Sequence, residues 1–167
     1  MPGPLFCFLA NDHERLDGLL RRAMTEVSTI DGIAYAGFRA GLLTHISLEE
    51  KILLPAAQRW QGGDPLPIAA TLRRDHGALA ALLVPTPTPA IIAALRTILA
   101  AHNALEEGPG GVYERCGRLA GTEVDALLAQ LHAAPEVPVA PYADGPQVMS
   151  VVRRTLARAG YDVELGA

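Results

Sequence analysis

The 167-residue chain has few aromatic residues, only two cysteines and no large excess of either charge. Aromatic residues make up 5% of it, and 18 acidic against 14 basic residues give a formal net charge of −4. This balance gives no reason to expect a nucleic-acid partner. Because Cys7 and Cys116 are too few for a disulfide framework, we expect both to be reduced, small core residues.

Several patterns that define other protein classes are also missing. No apolar run approaches the roughly 20 residues of a transmembrane helix. The short run at residues 5–10 has no basic flank before it, which makes it a poor signal peptide. There is no nucleophile triad, phosphate-binding loop or zinc-type cysteine cluster. We therefore expect a cytoplasmic protein without a membrane partner, outside many enzyme classes.

Half of the residues are apolar, and alanine and leucine dominate, which favours helices over strands. Apolar residues recur at intervals of three and four in four successive segments, which predicts an all-α, up-down four-helix bundle. We expect helix 1 to begin at an N-cap, Asn11, with Glu14 completing a capping box, and to reach about Val27. The other three are expected from Asp31 to about Trp60 with a break at Pro55, from residue 68 to about Val84, and from the Pro-rich connector 85–89 to the "GPGG" at 108–111.

The rest of the chain predicts a smaller helical extension. A further amphipathic helix is expected at about residues 112–133, so residues 1–134 would form the bundle plus this following helix. Residues 135–167 would be a Pro-rich linker and a short C-terminal helix at about 148–159. The C-terminal third of the chain has no metal-ligand pattern, and we expect it to act as a lid or a packing element.

Four of the five histidines fall into two copies of one unit. The first copy reads "DH" at residues 12–13 and "HISLEE" at 45–50, and the second reads "DH" at 75–76 and "HNALEE" at 102–107. A histidine and a glutamate four residues apart lie on the same face of a helix. All of these positions lie on the apolar stripes that must face the core: His13, His45, Glu49, His76, His102 and Glu106.

Buried carboxylates of this kind require compensation. An unpaired carboxylate in a core is destabilising by several kcal/mol, and metal ions would supply the missing positive charge. If Glu49 and Glu106 each bridge two ions, each ion has about two histidines and shared carboxylates. That donor set suits non-haem iron best, with manganese or zinc as alternatives. The ligand count leaves about two positions open, one on each ion.

These motifs resemble the hemerythrin-like, HHE cation-binding family. The resemblance covers roughly residues 10–110 and rests on both "DH" dipeptides, on "HISLEEKILLP" and on "HNALEE". It implies a four-helix bundle that holds two non-haem iron ions. It also implies that the six histidines and glutamates named above are the metal ligands.

Three features depart from the family pattern. Respiratory hemerythrins carry a second histidine on helix 3, where this chain has Ala80, and their fourth helix carries an aspartate five residues after its histidine instead of a glutamate after four. Both differences favour the bacterial branch, which includes proteins linked to nitrosative stress and iron–sulfur repair. The "GPGG" replaces an apolar run, and we expect it to distort the helix-4 half of the site.

Several other polar residues are candidates for supporting roles around the site. Asp12 and Asp75 are expected to be helix-start charges or hydrogen-bond partners of ligands. A solvated surface position is favoured for Glu50 and Glu107, and the alternative is that they line a channel or form hydrogen bonds to ligands. His132 is expected on the surface. Tyr35 and Tyr113 are candidates to approach the site, although their spacing does not place them there.

The sequence supports three functional hypotheses. The first is a di-iron protein that binds a small ligand such as O₂ or NO in sensing, storage or stress response. The second is a di-iron enzyme that reduces NO or peroxide, or that supplies iron for cluster repair. The third is a structural or partner-binding bundle with a vestigial metal site.

Overall fold

The computed structural model describes residues 1–26 and 28–166, and its regular elements are helical apart from an isolated bridge between Glu26 and Thr29. The predicted all-α class is therefore confirmed. The helices are α1 (Pro4–Ala23), α2 (Gly32–Leu48), α3 (Leu54–Trp60), α4 (Ala69–Leu82), α5 (Pro89–Glu107), α6 (Val112–Ala120), α7 (Val124–Ala133) and α8 (Pro146–Ala159). A π-helical turn (Glu49–Leu53) joins α2 to α3, and a 3₁₀ turn (Gly121–Glu123) joins α6 to α7.

The first helix begins about two turns earlier than the sequence predicts. Its N-cap is Gly3 and Pro4 occupies the first turn, where a proline is well tolerated, so the predicted cap at Asn11 is wrong. Leu5 and Leu9 extend the buried stripe toward the N-terminus, which explains why the earlier turns are stable. The helix ends at Ala23, and the predicted end at Val27 lies outside the described residues.

The second predicted helix is divided near its proline. The carboxylate of Asp31 caps its start by accepting hydrogen bonds from the backbone N–H groups of Ile33 and Ala34. The wider π turn begins at Glu49 and ends just before Pro55, which has no N–H to donate. The N–H of Glu49 still donates to the carbonyl of His45, so the turn between these two residues stays α-helical.

The described helices enclose two apolar clusters. One is built around Leu20, Phe38 and Leu79, and the other around Leu9, Leu53 and Leu72. The buried histidines and glutamates lie between them, because each ligand-bearing stripe is apolar on both sides of its polar residue. None of the described helices has the length and apolar character needed to cross a membrane.

The C-terminal residues pack against the helices that carry the predicted ligands. Helix α8 lies along α4 with Val152 and Leu156 buried. The preceding segment crosses α2, where buried Arg39 donates to the carbonyls of Leu83 and Ala140 at 2.7 and 2.8 Å. The guanidinium also lies 4.2 Å from the centre of the Tyr142 ring. Residues 135–159 therefore form a packing element, which is one of the two roles expected from the sequence.

We predict that Arg39→Ala lowers the free energy of unfolding by about 2 kcal/mol, because two carbonyls lose a charged donor. Urea denaturation would measure this change. Arg22→Ala, at an exposed position, is the matched control and should change stability by less than about 0.5 kcal/mol. Equal effects of the two substitutions would contradict the role given to Arg39.

Candidate metal centre

The structure brings all six predicted ligands together in the core. They come from α1, α2, the π turn, α4 and α5, and each is at most 6% exposed. Among the described residues their donor atoms form two overlapping groups of four, and the donors within each group lie within 4.8 Å of one another. One group is His13, His45, Glu49 and Glu106, and the other is Glu49, His76, His102 and Glu106.

The Nδ1 atom of every one of these four histidines lies within hydrogen-bond distance of a carboxylate. The pairs are His13 with Glu107 at 2.5 Å, His45 with Asp12 at 2.9 Å, His76 with Glu50 at 2.6 Å and His102 with Asp75 at 3.2 Å. A histidine that donates from Nδ1 keeps the lone pair of Nε2 free to bind a metal. In all four, Nε2 faces the shared glutamates.

These outer carboxylates follow the duplication in the sequence. Asp12 and Asp75 each precede one ligand histidine but hold the histidine of another helix. Glu50 and Glu107 each follow a ligand glutamate and also hold a histidine from a different helix. The structure therefore selects the hydrogen-bonding role for the two aspartates. For the two partly exposed glutamates it selects the alternative role, a hydrogen bond to a predicted ligand, over the favoured surface position.

The inner carboxylates fit a metal-binding role. Among the ion pairs of the described residues, only histidines contact Glu49 and Glu106. Glu49 Oε2 and Glu106 Oε1 lie 3.1 Å from Nε2 of His76 and His102, respectively, and neither oxygen has another partner among the described residues. Two buried carboxylate oxygens so placed require positive charge beside them, which either imidazolium ions or a metal ion bound by the same histidines would supply.

The buried carboxylates raise the pKa values of three groups in the site. Burial alone would lower the pKa of His45, but the carboxylates of Glu49 and Asp12 raise it to about 10. Burial likewise opposes the positive charge on His102, whereas Asp75 and Glu106 raise its pKa to about 10. Burial and then the nearby Glu49 raise the pKa of Glu106 to about 6. The negative charge of these carboxylates would attract a metal cation.

A tyrosine also contacts the site. The Tyr113 side chain is fully buried, and its hydroxyl donates to Glu49 Oε1 at 2.7 Å. The same oxygen lies 3.1 to 3.2 Å from Glu106 Oε2, His13 Nε2 and His45 Nε2. Of the two tyrosines considered from sequence, Tyr113 therefore reaches the site, while Tyr35 packs against Phe38 and Tyr142.

The "GPGG" segment explains how Tyr113 arrives there. Helix α5 ends at Glu107, and α6 starts again at Val112 after a turn. A Cβ atom on Gly111 would lie 2.6 Å from the carbonyl oxygen of Glu106, so only glycine permits so tight a turn. Glu106 remains within the helix and within the ligand group. The segment places Tyr113 beside Glu106 without removing a predicted ligand.

Two cavities lie beside the site. One, of about 340 Å³, is lined by His13 together with Arg96 and Asn103. The other, of about 650 Å³, is lined by Tyr113, Phe6 and the first residues of the chain. Both are large enough for a small molecule to approach the half of the site that contains His13.

No protein-family model, curated protein or solved structure matches this chain.

We predict that Asp75→Asn weakens metal binding by about 10- to 100-fold, because it removes the charged partner that orients His102. Competition with a chromophoric chelator would measure the affinity. Asp125→Asn, on the exposed face of α7, is the matched control and should leave it unchanged. Equal affinities of the two variants and the parent would show that this outer carboxylate does not tune the site.

Proposed function

We propose that this chain binds two non-haem iron ions and uses them to bind a small ligand such as O₂ or NO in sensing, storage or stress response. One observation carries the proposal. Four histidine Nε2 atoms and two buried carboxylates converge in two overlapping donor groups, and a carboxylate orients every histidine. A vestigial site would not be expected to keep both the inner donors and all of their partners.

The donor chemistry favours iron. Each group contains two histidines and the same two glutamates, Glu49 and Glu106. Mixed imidazole and carboxylate ligands with open positions are typical of non-haem iron, and manganese and zinc bind similar donors. The absence of a cysteine from both groups argues against sites that select soft metals.

We further propose that the ligand-bearing helices form an up-down four-helix bundle of the hemerythrin-like type. The connections that support this topology are short: residues 24–31 between α1 and α2, 61–68 between α3 and α4, and 83–88 between α4 and α5. Short connections favour antiparallel neighbours. The packing of α1 against α2 and of α4 against α5 agrees with this arrangement.

The residues around the site would control what reaches the metal. Bound iron would coordinate a small ligand reversibly and donate electrons to it. The two apolar clusters exclude bulk water from both ends of the site, and the outer carboxylates hold the imidazoles in position. The cavity beside His13 would admit small molecules. Turnover of NO or peroxide with a reductant would identify the enzyme alternative.

We predict that the metal-free protein binds two iron ions per chain after anaerobic reconstitution, measured by elemental analysis. Replacing both inner carboxylates, in Glu49→Gln/Glu106→Gln, should reduce iron to well below one ion per chain, because both groups lose their anionic donors. Glu14→Gln, an exposed substitution on α1, should retain two. Failure of the folded parent protein to bind any iron or manganese would contradict the proposal.

Metal should also stabilise the fold. A metal that binds only the native state increases the free energy of unfolding by mass action. The increase is about 2.7 kcal/mol when the free metal concentration is 100 times the dissociation constant. We therefore expect thermal unfolding to shift upward with metal in the parent protein and in Glu14→Gln, but not in the variant that lacks both inner carboxylates. Coincident melting temperatures of metal-free and metal-loaded parent protein would mean that the metal does not bind in the core.

A further inference from the structure

We propose that Tyr113 is a fifth protein ligand, bound through its phenolate oxygen to the metal ion that His13, His45, Glu49 and Glu106 hold. This inference rests on the proposed function, since it requires metal in the site. It makes the two halves of a site that looks symmetric in the sequence chemically different.

The position of the phenol oxygen is the first argument. It lies 2.7 to 3.2 Å from one donor atom of each of the four residues in this group. Two ligands that bind one octahedral ion at about 2.1 Å and at right angles are separated by about 3 Å. In an octahedron, each ligand has this relation to four others. The Tyr113 oxygen therefore has the distances expected of a fifth ligand that would bind the same ion as these four residues.

The number of protons is the second argument. A phenol has one hydrogen to donate. Here that oxygen faces two carboxylate oxygens and two imidazole Nε2 atoms. In the metal-bound state Nδ1 of His13 and His45 donates to Glu107 and Asp12, and Nε2 carries no proton. A single phenol hydrogen could then pair with only one of the four donor atoms, whereas a cation among all five atoms would satisfy them together. The phenol releases its proton to solvent when it binds, as ligating acids do.

The local structure holds the oxygen in place. The Tyr113 ring is fully buried, with the Phe6 ring edge-on at 6.2 Å, and the tight turn at Gly111 fixes the start of its helix. In the described residues no hydrogen bond joins a second phenol to the group of His76 and His102. That half keeps four protein donors, one fewer than the half that holds Tyr113.

A visible spectrum of the iron(III)-loaded protein tests the inference, because a phenolate bound to iron(III) gives a charge-transfer band and enhanced tyrosinate vibrations in resonance Raman spectra. We expect both in the parent protein, with the vibrations shifted by ring-deuterated tyrosine. Tyr113→Phe should lose them. Tyr35→Phe, which removes a buried hydroxyl away from the site, should keep them. Elemental analysis of each sample reports iron content.

A triple variant keeps the test decisive if Tyr113→Phe does not load iron. Tyr35→Phe/Tyr142→Phe/Tyr161→Phe leaves Tyr113 as the only tyrosine, and it should retain the parent spectrum. Iron-loaded parent protein without tyrosinate vibrations, or with vibrations that the triple variant loses, would overturn the inference while leaving the di-iron proposal in place. Absence of bound iron from folded parent protein would instead refute the proposed function.

Discussion

The burial of two carboxylates in the middle of the helices is the constraint on which the rest of the structure depends. Glu49 and Glu106 are each 1% exposed, and apolar clusters lie on both sides of them. Two negative charges so placed would destabilise the fold unless positive charge lay beside them. His45 and His102, whose pKa values are raised to about 10, supply part of it as imidazolium ions when no metal is bound, and the metal would supply it otherwise.

The outer carboxylates extend this electrostatic organisation to the surface of the bundle. Each binds a histidine of another helix, so a ligand and its partner tie two helices together. Asp12 and Glu50 in turn accept hydrogen bonds from the solvent-exposed side chains of Arg15 and Arg73, respectively. The site is therefore part of how the helices pack, and changes in it should be felt in stability as well as in metal binding.

Much of this arrangement can be predicted from the sequence, because helical periodicity converts spacing directly into a shared face. His45 and Glu49 belong together for this reason, as do His102 and Glu106. The all-helical class follows from the same periodicity. The duplicated motif also suggests the two groups, since each copy supplies both histidines of one group.

Other features depend on tertiary contacts that periodicity does not encode. Glu50 and Glu107 look like surface residues because each is one step off the apolar stripe, but a histidine of a neighbouring helix reaches them. Tyr113 lies outside the four ligand-bearing helices, and only the turn at Gly111 aims its helix at the site. The capping pattern at Asn11 and Pro4 both fit the start of a helix. The chain starts α1 at Pro4 because the packing of Leu5 and Leu9 stabilises the earlier turns, and this packing is not visible in the local sequence.

We infer that metal ions occupy both groups of donors. Anomalous scattering from crystals of the iron-loaded protein, recorded on each side of the iron absorption edge, would locate them. We expect two peaks, one among His13, His45, Glu49 and Glu106, and one among Glu49, His76, His102 and Glu106. A single peak, or peaks bound by other residues, would contradict it.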